Sequence, residues 1–350
     1  MTSKPVEIPF KQADGLDIYM DVFLSPTASA ENPAPILLWW HGGGLLQASI
    51  YGTRKGVPPH LRSAPAKHNV TFVSADYRLA PQFRLPTILS DCADAIKFLH
   101  TKEFQTATNG RADASRVILS GNSAGGWLSL LCANGIGFDA AGLPKPPTVQ
   151  GNAAINPITD LEDPFWKVAQ RPLPFLNRVI AKQEVQPFID PTDLGSRVSF
   201  TALDSPRSEF YHYMLQEAIL ADLLLFGTNI SPNSFSVAPF LKAHALPNTI
   251  VPTYIVHIDG DTEVHVRQSQ DVADALKDLQ ESAEIDYEYE EIHGVDHFFD
   301  FNPECGMEKM YEFIERVQGG LKKIFYYTKL KNILRASEEQ PPTHATPRDV

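Results

Sequence analysis

The chain has 350 residues, 43% of them hydrophobic, which is enough for one large core. Its formal net charge of -12 excludes the basic face that a nucleic-acid footprint needs. Cys92, Cys132 and Cys305 are too few and too scattered for a disulfide framework, and no Cys/His spacing suggests zinc, so no metal is expected.

Taken in chain order, the opening stretch MTSKPVEIPFKQADG has no continuous apolar core, so no signal peptide is expected. No run approaches the ~18 apolar residues of a membrane span, and the chain reads as cytoplasmic. VEIPF and LDIYMDVFL alternate apolar and polar residues around ADG and predict an antiparallel hairpin. After a Pro/Ala/Ser-rich break, ILLWW is a continuous apolar run ending in HGGG, the pattern of a strand buried on both faces. VTFVSADY repeats it. TILSDCADAIKFLH then places Ile88, Cys92, Ile96 and Leu99 on one helical face, with Cys92 and Cys132 read as small core residues.

RVILSG, VQGNAAINP, PTYIVHIDG and IDYEYEEI are further strands. SQDVADALKDLQ is a helix before the last, carrying Val272, Ala275, Leu276 and Leu279 at helical spacing. Strands alternating with helices predict an α/β domain over 1–335, a mostly parallel sheet flanked by helices. Residues 159–247 break the rhythm with aromatics, prolines and helix-like pieces such as FLNRVIAKQ and YMLQEAILADLLLFG. They are too long for a crossover and too apolar for a disordered loop, so an inserted helical lid is expected. LKKIFYYTKLKNILR at 321–335 is basic and amphipathic. It is read as a C-terminal helix packed on the domain, with a membrane surface or a partner as the alternative. The polar, Pro-rich residues 336–350 read as a disordered tail.

One hydroxyl stands out. In VILSGNSAGGWLSLLC an apolar strand breaks at Gly121, presents Ser123, breaks again at Gly125 and resumes as an apolar helix. Gly121-Asn122-Ser123-Ala124-Gly125 fits the G-x-S-x-G elbow, whose sharp turn lifts the hydroxyl above the sheet and leaves no room for side chains two residues away. A serine needs a base, and the base an orienting acid, each at the carboxyl end of a later strand. The acidic loop after PTYIVHI offers Asp259, Asp261 and Glu263, and Asp261, deepest in the turn, is preferred. The last loop offers His293 and His297. His297 lies beyond the turn, followed by Phe298 and Phe299 that would wall off water, and is preferred. The oxyanion of a tetrahedral intermediate needs fixed N–H donors. The amides of Gly43 and Gly44, after His41 and Gly42, together with that of Ala124, are the candidates.

HGGG at 41–44, DYRLAP at 76–81, GNSAGG at 121–126, DGD at 259–261 and DHFF at 296–299 resemble the motif series of the hormone-sensitive-lipase-like carboxylesterases. The resemblance runs over residues 35–320 and is weakest across 159–247. It implies the α/β-hydrolase fold, Ser123 as nucleophile, His297 as base, Asp261 as orienting acid, and cofactor-free hydrolysis of a small-molecule carboxylic ester. It departs from the family pattern at Asn122, where Asp is usual, and at Gln82, where Glu is usual. The N-terminal segment is too short for the helical cap many members build there, which leaves the lid to 159–247. Phe165, Trp166 and the apolar helix near 211–226 are candidate pocket walls. Two other readings stay open: a biosynthetic enzyme performing cyclisation, dehydration or acyl transfer, and a ligand receptor like the family's plant gibberellin receptors. Those receptors lack a triad member, whereas all three groups stand here. The oligomeric state is left open, a homodimer included.

Overall fold

Alternating apolar residues at the start of the chain form the expected hairpin: β1 (Val6–Ala13) and β2 (Leu16–Phe23) pair antiparallel, with Ile8 opposite Met20. The computed structural model describes residues 4–47, 53–201, 205–244, 250–280 and 285–319. In it, β3 (Ala34–Trp40), β4 (Thr71–Ala75), β5 (Ala112–Asn122), β6 (Gly151–Ile155), β7 (Thr253–Ile258) and β8 (Tyr287–Ile292) complete one sheet. Its order is β1-β2-β4-β3-β5-β6-β7-β8. The β2–β4 pair is antiparallel and every later pairing is parallel.

The continuous apolar run of β3 follows from this position. Ile36, Leu38 and Trp40 pack into the core on one face of the sheet, Leu37 and Trp39 into the core on the other, and all are fully buried. On the Leu37 face lie α1 (Pro59–Lys67) and, at the end of the domain, the apolar side of a helix bearing Met310, Tyr311, Phe313 and Ile314. Against the opposite face pack α2 (Leu85–Phe98), α3 (Lys102–Ala107) and α4 (Ala124–Asn134). Cys92 and Cys132 are free and buried in that core.

Between β6 and β7 run α5 (Lys182–Ile189), α6 (Glu209–Glu217), α7 (Leu220–Leu225) and α8 (Val237–His244), joined by short 3-10 turns. Two expectations change here. The stretch FLNRVIAKQ is not a helix: α5 starts at Lys182, where the Glu184 carboxylate accepts the Ala181 N–H at 2.8 Å and fixes the N-terminus. The single helix near 211–226 is two helices, because Ala218 takes a left-handed conformation (φ 56°) that closes α6 before α7 begins. The break lets Tyr211 and Met214 of α6 and Leu220, Leu223 and Leu224 of α7 all face the core. After β7 come α9 (Arg267–Gln280), then β8 and α10 (Glu308–Gln318). No helix among the described residues is long and apolar enough to cross a membrane. The basic segment at 321–335 and the tail at 336–350 lie outside the described residues.

What positions the site is the contact between α4 and the end of β3. A Cβ on Gly125 would stand 2.0 Å from the Trp40 carbonyl oxygen, and one on Gly121 would stand 2.2 Å from the Gly125 carbonyl carbon. Neither neighbour is a flexible side chain, so the backbone itself would have to move. Gly125→Ala is therefore expected to destabilise the fold by more than about 2 kcal/mol, read as a fall in the urea midpoint. Gly260→Ala, where a Cβ meets nothing within 4 Å, is the control and should leave the midpoint unchanged.

Candidate active site

Ser123 sits at the strand-to-helix turn with φ 54° and ψ -121°, a conformation that costs a non-glycine residue about 1–3 kcal/mol. The turn is held from both sides. The Ser123 N–H donates to the Ile155 carbonyl of β6 at 2.8 Å, and its carbonyl accepts the Trp127 N–H at 3.1 Å. The hydroxyl itself hydrogen-bonds to no described residue. Gly42 of the HGGG loop lies against the elbow, for a Cβ there would be 3.0 Å from both Ser123 Cβ and the Asn122 carbonyl oxygen.

The loop around Gly42 is bolted down by the DYRLAP segment. Tyr77 Oη donates to the His41 carbonyl at 2.8 Å, and its ring stacks on the His41 imidazole at 4.4 Å. His41 Nδ1 faces the Gly42 carbonyl at 2.9 Å, and burial pushes the imidazole down to about 4, so it stays neutral. The amides of Gly43 and Gly44 donate to no described residue, and the amide of Ala124 lies in the first turn of α4, where N–H groups lack intrahelical partners. Gly43 and Gly44 follow the glycine that rests on the elbow, and Ala124 directly follows Ser123. Gly44 must be glycine: its φ is +64°, and a Cβ would stand 2.6 Å from the Tyr211 ring of α6.

Across the sheet, β7 and β8 bring an acid and a histidine together. His297 Nδ1 donates to Asp261 Oδ2 at 2.6 Å, and both side chains are buried. Asp261 is fully engaged, its Oδ1 accepting the Glu263 and Val264 amides at 2.8 and 2.9 Å. Burial works against its charge, but His297 and His257, with the hydrogen bonds they make, outweigh that and hold the carboxyl well below the usual range. Burial likewise opposes a charge on His297, yet Asp261, then Glu263 and Asp300, raise the imidazole above its ordinary value. The rivals pair elsewhere: His293 and Asp259 join at 2.8 Å as an exposed ion pair. Glu263 is buried beside His297, but its carboxyl makes no hydrogen bond to a described residue. Burial, with the Asp261 charge adding and the His297 charge opposing, pushes it up to about 7.

Residues that motif spacing did not single out complete the assembly. Asn156, in a left-handed conformation (φ 43°) just past β6, donates from Nδ2 to the His297 carbonyl at 2.9 Å and accepts the Ile258 N–H at 3.2 Å. An Asn before Pro157, able to take positive φ, was the available cue. Asp300, wholly buried, accepts a hydrogen bond from Asn122 Nδ2, and no local pattern announces it. Tyr211 Oη donates to the Glu263 carbonyl at 2.9 Å, tying α6 to the acidic loop.

The two departures from the family pattern also find partners. Asn122 offers an amide where Asp300 presents a carboxylate. Gln82 Nε2 donates to the carbonyls of Phe188 and Asp190, each at 2.8 Å, which a glutamate could not do. Its Oε1 accepts from Arg207 at 3.1 Å. Trp166 is buried, with Phe165 edge-on to it at a 4.8 Å centroid distance, so Trp166 packs as core.

Residues 37–190, from β3 through the elbow into α5, match the family model described as the alpha/beta hydrolase fold. The chain has the α/β-hydrolase fold. It is 27% identical over 322 residues, 87% of its length, to non-reducing polyketide synthase ascC of Acremonium egyptiacum, and spans only 15% of that protein. A 102-residue stretch, 27% of the chain, is 35% identical to probable carboxylesterase 7 of Arabidopsis thaliana, covering 31% of it. An alpha/beta hydrolase superfamily protein from Enterococcus faecalis superposes with a TM-score of 0.62. That superposition covers 87% of this chain and 96% of that one, at 20% identity.

Two titration signs of the site can be measured directly. The imidazolium of His297 is favoured in the fold, so its stabilising contribution is complete below the unfolded pKa and is lost as pH rises through the folded one. The contribution of Asp261 runs the other way, complete above its unfolded pKa and lost only in strong acid. By NMR, the His297 midpoint is expected above that of an ordinary imidazole. Glu263→Gln should lower that midpoint by removing a nearby anion, and an unchanged midpoint would show that Glu263 does not act on the ring.

Proposed function

We propose that this α/β hydrolase is a serine esterase that cleaves carboxylic esters with small to medium apolar acyl groups, acetyl esters or lactones through an acyl-enzyme. The observation that carries the reading is the buried His297–Asp261 hydrogen bond of 2.6 Å, assembled at the same end of the sheet as the strained Ser123. Its carboxylesterase relatives support it.

In this reading His297 takes the Ser123 proton as Oγ attacks the ester carbonyl. The oxyanion forms among the amides of Gly43, Gly44 and Ala124, each donor contributing a few kcal/mol. Asp261 holds the tautomer and stabilises the imidazolium, which then protonates the leaving alkoxide. Water repeats the sequence on the acyl-enzyme. The segment between β6 and β7 acts as the lid, with Tyr211 resting on the glycine loop. No step calls for a cofactor.

Similarity to a polyketide synthase along most of the chain favours a second reading, in which Ser123 Oγ attacks a polyketide ester or thioester and His297 passes the serine proton to the departing alcohol or thiol. That acyl group then passes to a hydroxyl, its own or a second molecule's, rather than to water. The two readings separate by product: free acid for hydrolysis, a lactone or transferred ester for acyl transfer.

Ser123→Ala is expected to lower kcat on p-nitrophenyl butyrate by about 10³-fold or more and to abolish labelling by a fluorophosphonate probe. Undiminished turnover in that variant would remove Ser123 from the mechanism. A wild-type protein that never labels would instead point to a ligand receptor.

A further inference from the structure

The elbow and the base belong to strands that do not touch. Ser123 follows β5 and His297 follows β8, with β6 and β7 between them in the sheet. No ladder hydrogen bond therefore sets the distance between the nucleophile and its base, and a shift of 1 Å at such a site can cost about 10²-fold in rate. Side chains must span the gap.

We propose that Asn122 and Asp300 are a positioning pair that holds the Ser123 hydroxyl and the His297 imidazole in register. The inference rests on the reading of those two residues as nucleophile and base. Asn122 immediately precedes Ser123, and both ends of its amide are used. Oδ1 accepts the Trp39 Nε1–H at 2.6 Å, which anchors it to β3, and Nδ2 donates to Asp300 Oδ2. Asp300 lies three residues after His297 and is wholly buried. The bond thus ties the residue before the hydroxyl to the turn that carries the ring.

The chemistry of the pair is specific. A buried carboxylate is costly unless it is well partnered, and Asp300 Oδ1 has no hydrogen-bond partner. Around it stand His60 of α1, whose Nε2 is 3.5 Å from Oδ2, Tyr311 of α10, Cys305, and His297 on its own loop. His60 Nε2 also lacks a hydrogen bond, its Nδ1 being 3.1 Å from Tyr311 Oη. For packing alone an apolar residue at 300 would serve. A carboxylate there accepts the elbow amide and favours a positive imidazole. The same carboxylate requires an amide at 122, because the family's usual aspartate would set two buried anions against each other.

The test is a reciprocal exchange, with melting curves to establish that each variant folds. Asn122→Asp is expected to lower kcat on p-nitrophenyl butyrate about 10²-fold with KM nearly unchanged. Asp300→Asn should lower kcat less and move the acid limb of the pH–rate profile, and the His297 midpoint seen by NMR, to lower pH. The double variant Asn122→Asp/Asp300→Asn restores one amide and one carboxylate, and should return kcat to within about tenfold of wild type. A folded double variant no faster than Asn122→Asp overturns the pair, as do single variants with wild-type kcat. If Asn122→Asp alone does not fold, recovery of folding and turnover in the double variant supports the pair, and its failure overturns it. If wild type proves not to label at Ser123, the esterase reading falls. The pair is then judged by the His297 midpoint, which Asp300→Asn must lower and the exchange must restore.

Discussion

The first turn of α4 sits on the last carbonyls of β3, and the rest of the site depends on that close approach. Because Gly125 touches backbone, the helix can begin only where the chain has turned within one residue of β5. Ser123 takes up the turn in an unfavourable conformation, and the β6 and α4 hydrogen bonds to its own backbone offset the strain. The same approach carries the HGGG loop, which leaves β3 at that level, to the serine. Gly42 rests on Ser123 Cβ, so the placement of the free amides and of the hydroxyl has one cause.

Two carboxyls in one short loop are driven in opposite directions, and hydrogen bonding decides which way. Asp261 and Glu263 are both buried, and burial disfavours the charge on each. Asp261 receives two backbone amides and two imidazoles, so its charge persists. Glu263 spends its amide on Asp261 and its carbonyl on Tyr211, and its carboxyl is left with burial and the neighbouring anion. The loop therefore supplies a fixed anion to His297 and, two residues on, a group that ionises near neutrality.

The segment between β6 and β7 is joined to the glycine loop by polar bonds as well as by apolar packing. Arg207, almost wholly buried, donates to the carbonyls of Leu46 and Ala80 at 2.5 and 2.6 Å and to Gln82 at 3.1 Å. Burial lowers its guanidinium to about 10. Tyr211, one helical turn further on, reaches both Gly44 and the Glu263 carbonyl. A shift of α6 would be felt at the oxyanion loop and the acidic loop together.

Fold class was legible in the sequence, as were the turn at Ser123 and the loops that carry Asp261 and His297, because each depends on local rules. Runs such as ILLWW, short and closed by glycines, have the pattern of doubly buried strands, glycines two residues either side of Ser123 report crowding whatever surrounds them, and Asp261 and His297 stand where later strands end. What the tertiary structure alone decided are relations between segments far apart in the chain. Asp300 meeting Asn122, Asn156 reaching the His297 carbonyl, Gln82 bonding α5 and Tyr211 covering Gly44 leave no periodic signature, because each needs only one residue at one place. The break at Ala218 belongs with them, since it lets α6 and α7 both turn apolar side chains to the core. Spacing along the chain encodes how a segment folds on itself, whereas the pairing of buried polar groups is set by which segments the sheet brings side by side.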